Sequence, residues 1–271
     1  MKKQIPLALI LTSSLFALEE SPWLEFPYEF HFKTAFSESY YSEIQGATYP
    51  RKRYENSWNE QLNLGLSVTT MSLLDIELEG EFFQTKATSF TLESLALQLR
   101  WQLLDDIQGD PFSLTLGGNT RFVPDHALHD PYVPYQGLIN FEALMSIGRE
   151  FDVAFDWTKR FFLFSALGIA NQGAPYLKID AQFHVHRKSH LFAFLIKTNF
   201  GFGQKDRVPV DHFHGYSAIW HQSVDLGVAY QYLFDIYGKL GIELSYRPYA
   251  KNFPKNFSKV EIRYDFPFSI F

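Results

Sequence analysis

The chain has 271 residues, a formal net charge of −6 and no cysteine, and 18% of its residues are aromatic, with 28 Phe and 15 Tyr. The absence of cysteine excludes a disulfide-stapled scaffold, thiolate metal sites and cysteine nucleophiles, and the acidic balance argues against nucleic acid as a partner. Mean hydropathy is −0.15, and after the N-terminus no apolar run approaches the roughly 18 residues that a membrane helix needs.

The first residues have the layout of a secretory signal peptide: Lys2 and Lys3, the apolar run Leu7 to Leu11, and the small residue Ala17 before Glu19 and Glu20. Residues 1–17 are therefore expected to be removed on export, leaving 18–271 as a single domain.

From there strict alternation of apolar and polar residues dominates, the period of a strand with two different faces. It predicts strands at 26–36, 57–69, 73–84, 92–104, 112–123, 137–149, 161–171, 175–186, 190–203, 218–232, 237–247 and 257–268. In 94–103, Leu95, Leu97, Leu99, Trp101 and Leu103 share one face while Ser94, Gln98, Arg100 and Gln102 share the other. The segment 161–171 is apolar on both faces, so its register stays open.

The connections alternate in length. Long ones fall near 37–56, 85–91, 124–136, 204–217 and 248–256; most of the intervening ones are tight, although 150–160 is longer and 172–174 shorter than the rule wants. Short inner turns, longer outer loops and an even strand number describe an outer-membrane barrel. A soluble sandwich or lipocalin-like barrel also alternates, with its apolar face inward. Three features favour lipid. The strands reach the roughly nine to eleven residues of a tilted membrane strand. Trp23, Trp58, Trp101, Trp157 and Trp220 fall at or near strand ends, where interfacial belts lie. The polar faces are also rich in charge, and only Glu60 is a clear charge on the outward face, near its outer end. The expectation is an all-β, transmembrane, antiparallel up-and-down β-barrel of about 12 strands in a Gram-negative outer membrane, with outer-membrane lipid as its surroundings.

The last strand carries Val260, Ile262, Tyr264, Phe266 and Phe268 two apart, and the chain ends at Phe271. This resembles the terminal strand by which outer-membrane barrels are recognised, and the resemblance implies the barrel-assembly machinery as a partner.

Inward phase assigns a charged lumen of both signs: Glu77, Glu79, Glu81, Arg100, Arg121, Glu142, Lys178, Asp180, Lys197, Asp225, Lys239, Glu243, Arg247, Lys259, Glu261 and Arg263. Such a lining either orients water and filters ions along a narrow path or pairs with itself and blocks flow. Twelve strands fall between barrels filled by side chains and open porins.

His221-Gln222-Ser223 resembles the His-x-Ser motif of outer-membrane phospholipase A and the lipid A deacylases, although Val224 stands where those families carry asparagine. The resemblance implies His221 as general base on Ser223; the alternation instead places both in a polar lumen stripe. Two outer loops concentrate histidine, as His126 and His129 and as His212 and His214, each beside aspartate; these are either solvated loop residues or ligands for a divalent ion. No cofactor is implied. The leading expectation is a narrow channel or transporter for small polar solutes; the alternatives are an acyl hydrolase using His221 and Ser223, and a non-catalytic structural or adhesion barrel.

Overall fold

The structure is a computed structural model that describes residues 18, 20–48, 56–71, 73–153, 156–234 and 237–269. The expected signal segment 1–17 and the terminal Phe271 lie outside these residues.

Twelve strands form a closed antiparallel barrel: β1 (Phe30–Tyr41), β2 (Ser57–Thr69), β3 (Leu74–Gln84), β4 (Thr91–Leu104), β5 (Ser113–Phe122), β6 (Ile139–Val153), β7 (Trp157–Ala170), β8 (Tyr176–Arg187), β9 (His190–Phe202), β10 (Trp220–Leu233), β11 (Lys239–Lys251) and β12 (Ser258–Phe268). Each strand pairs with its sequence neighbours, and β1 pairs with β12 from Phe30–Phe268 to Tyr40–Ser258, so no edge is left to aggregate.

The outer face is apolar. Phe161, Phe183, Phe194, Val228, Leu244 and Val260 are register partners in turn across six strands and all face outward. Large apolar side chains such as Leu78, Leu97, Phe141 and Phe194 are about half exposed while Glu77, Glu79 and Glu261 inside are fully enclosed. A soluble barrel would invert this arrangement. An apolar band this continuous requires hydrocarbon around it, and among the described residues no helix is long and apolar enough to cross a membrane. The protein is an outer-membrane β-barrel.

The twelve expected strands match the observed ones, with informative shifts. β1 begins at Phe30 rather than near 26, because Pro27 and the left-handed Tyr28 (φ 64°) turn the chain before it. It runs on to Tyr41, shortening the loop expected at 37–56 and turning Glu38 outward, register partner of the expected outward charge Glu60. β11 continues to Lys251, so the loop expected at 248–256 shrinks to 252–257. The long connection expected at 150–160 shrinks to 154–156, since β6 extends to Val153 and β7 begins at Trp157. β7, whose register the sequence leaves open, turns Phe162, Phe164 and Ala166 inward. Trp23 corrects the expected aromatic belt: it is buried beneath the lumen, edge-on to Phe162 at 5.9 Å.

Candidate functional site

The lumen is organised in three storeys. At the end of the barrel that carries the short turns, residues 20–29 enter as a strap. Arg100 Nη1 donates to the Ser21 carbonyl at 2.7 Å, Thr115 Oγ1 to Pro22 at 2.6 Å and Ser146 Oγ to Glu20 at 2.6 Å. Gln182 Nε2 donates to the Glu20 carboxylate at 2.7 Å, and Lys239 pairs with Glu25. Trp23 Nε1 donates to Asp106 Oδ1 at 2.8 Å, and the Arg160 guanidinium lies 4.9 Å from the centre of the Trp23 ring. Asp106, in the turn between β4 and β5, also accepts from the Glu150 N–H and the Ser113 hydroxyl. Burial works to raise its carboxyl pKa, but these hydrogen bonds outweigh burial and hold it below its ordinary value. Beside the strap remains a vestibule of about 620 Å³ bordered by Gln102, His184, His186, Lys239 and Asp265.

The middle storey is a ring of compensated charge. Arg121 on β5 reaches across the small Ala96 of β4 to Glu79 at 3.1 Å and to Glu81, both on β3. Glu81 also accepts from Ser94 and from the Tyr135 hydroxyl at 2.8 Å. Lys33 bonds Glu77 at 3.0 Å, and Arg100 grips Asp75 through two nitrogens at 2.8 and 3.1 Å. On the neighbouring β6, Glu142 accepts from Lys178 at 2.5 Å and Tyr176 at 2.9 Å. Glu243 and Glu261 are like-charged register partners held together by Arg263 and Lys259. Lys197 lies between Asp180 and Asp225 in register, with Glu243 at 3.9 Å. Asp225 binds Arg247 in bidentate fashion at 2.5 and 2.7 Å.

The outer storey is a hydrophobic cap. The single helical turn α1 (Asp125–Leu128) buries Ala127 and Leu128 against Phe83, Val123, Val133 and Tyr135. A second cluster joins Tyr41, Ile44, Tyr132, Phe213, Tyr216 and Phe253 from four chain segments. Backbone bonds knit the loops: Gly215 N–H to Leu128 O at 2.9 Å, Tyr216 N–H to Tyr135 O at 2.9 Å, and Val208 N–H to Gly46 O at 3.0 Å. Burial pushes the Asp130 carboxyl above its ordinary value despite hydrogen bonds from Thr85, Thr88 and the Tyr132 N–H. A small cavity of about 70 Å³ lies under this cap, bordered by Tyr132, Phe253, Asp180 and Lys197.

The lumen residues named from the sequence lie on the enclosed faces of their strands, together with Asp75 and Asp265 from the same charged stripes, and the structure adds Lys33 and the strap. Lys33 and Asp75 alternate in phase with their strands and were legible; the strap was not. His221 and Ser223 also face the lumen. The His221 ring is fully buried over Gly201, where a Cβ would lie 2.1 Å from Cε1, and it stacks on Phe253 at 5.1 Å. Its nitrogens meet the Ile219 carbonyl and Gln136, and among the described residues no hydrogen bond joins it to Ser223. Of the loop histidines, His129 and His214 come together with ring centres 5.1 Å apart. His126 faces Glu93 at 3.7 Å, the extra residue of a bulge in β4, and His212 is exposed outside the pair.

No protein-family model and no curated protein matches the chain. Solved structures do resemble it. An outer-membrane channel from Pseudomonas putida is 12% identical, with a TM-score of 0.56 over 90% of this chain and 97% of that one. The NanC porin is 11% identical, with a TM-score of 0.55 over 87% of this chain and 98% of that one. The KdgM porin in complex with disordered oligogalacturonate is 8% identical, with a TM-score of 0.53 over 88% and 99%. At such identities the likeness is one of fold.

Proposed function

We propose that this outer-membrane barrel is a narrow channel for small polar solutes, narrowed by its strap and covered by its cap. The carrying observation is the polar vestibule of about 620 Å³, whose wall residues Leu195 and Lys197 also border the cavity beneath the cap. One layer of side chains thus divides the two spaces. The charge ring around that layer interleaves acids and bases in shared ion pairs, so a desolvating solute meets donors and acceptors of both signs rather than a single strong field. This favours small neutral or zwitterionic solutes. A long polyanion, such as the oligogalacturonate named with one similar barrel, would need a wider path and an excess of positive charge.

The test is liposome swelling with neutral polar solutes of graded size. Purified barrel is expected to admit the smallest and exclude larger ones, and equal behaviour of protein-free liposomes would overturn the reading. The knitted outer loops favour a second reading, in which their fixed outer surface binds a partner; exchange of 203–219 for a short linker then abolishes cell-surface binding while leaving the barrel folded.

A further inference from the structure

Asp125, His129 and His214 bring one ligand atom each to within 4.8 Å of one another on the outer surface of the cap. Asp125 and His129 come from one loop, at positions i and i+4 across α1, and His214 from another. His129 Nε2 and Asp125 Oδ2 are 3.4 Å apart, close to the roughly 3.3 Å between two ligands of a tetrahedral Zn²⁺ with bonds near 2.0–2.1 Å. The other His129 nitrogen, Nδ1, lies 3.1 Å from the Phe213 carbonyl. Donating there fixes the tautomer that leaves Nε2 with a lone pair directed at the cluster, which is how metal-bound imidazoles are commonly oriented. Beneath the cluster, buried Leu128 and Phe213 and the Gly215–Leu128 backbone bond hold the two loops in place, so the ligands are presented on a packed base.

We propose that Asp125, His129 and His214 form a binding site for a divalent first-row transition ion, which clamps the 123–138 loop to the 203–219 loop. Two imidazoles and one carboxylate suit Zn²⁺ rather than Ca²⁺ or Mg²⁺, and a fourth position stays open to water. The second acid–histidine group, Glu25, His31 and Asp265, does not compete, because Lys239 already pairs with Glu25 and with Asp265. The inference is independent of whether the barrel conducts.

The experiment titrates Zn²⁺ into the whole barrel in detergent micelles by calorimetry, with a heat-dependent gel shift confirming that each variant is folded. One Zn²⁺ per chain is expected. His129→Asn and His214→Asn should each weaken binding at least tenfold, Asp125→Asn should weaken it, and His126→Asn and His212→Asn should leave it unchanged. Trypsin cleavage at Lys205 and Arg207, within the clamped loop, should slow on adding Zn²⁺ to the parent and not to His214→Asn. Absent binding, equal losses across all four histidine variants, or unchanged cleavage would overturn the proposal.

Discussion

Arg121 serves two carboxylates at once, and its removal would leave Glu79 and Glu81 enclosed without a cation. Breaking a buried ion pair from one side costs about 3–5 kcal/mol. Arg121→Met is therefore expected to lower stability by about that amount in urea unfolding followed by tryptophan fluorescence, and adding Glu79→Gln and Glu81→Gln should recover most of the loss. Lys197 sits where vestibule and upper cavity meet, so Lys197→Glu is expected to shift the reversal potential in a salt gradient toward cation preference; an unchanged potential would place the solute path elsewhere. The lumen charges were legible because each strand keeps a period of two, which fixes the side from the sequence alone. The settings of His221 and Trp23 were not legible. Their neighbours Phe253, Gly201 and Phe162 come from distant strands and loops, and no local pattern encodes those contacts.

At the scale of elements, the strap is the feature that local reading missed. Phe26, Tyr28, Phe30 and Phe32 alternate like a strand, so the first strand was expected to start at 26; Pro27 and the left-handed Tyr28 end the extended run instead, and residues 20–29 fold under the lumen. Deleting 20–27 is expected to raise conductance while the twelve strands still close, because each barrel strand keeps both partners. Asp106 anchors this strap through Trp23, and its carboxyl pKa is depressed in the folded state. A depressed acid stabilises fully above its ordinary pKa of about 4, and the contribution is lost as pH falls through the lower folded value. Hydrogen exchange of the 20–27 amides should therefore stay slow from neutral pH down to about 4 and quicken only below that. In Asp106→Ala, which loses hydrogen bonds to a charged group worth about 1.5–3 kcal/mol each, exchange should be fast across the whole range.

For the whole molecule, strand number and the outward apolar face were readable, because closure and lipid contact impose the same alternation on every strand. The three storeys inside were not. Whether charged walls meet, and whether outer loops fold inward over the mouth, depends on long-range packing among Tyr41, Tyr132, Tyr216 and Phe253, which lie far apart along the chain. The protein is thus a lipid-embedded barrel whose polar interior is narrowed from one end by its own N-terminal strap. The most direct test is single-channel recording in planar bilayers of the intact barrel and of the 20–27 deletion, both confirmed as folded. Small discrete current steps from the intact protein, growing on deletion, are the predicted result. Silent membranes from both forms would contradict it.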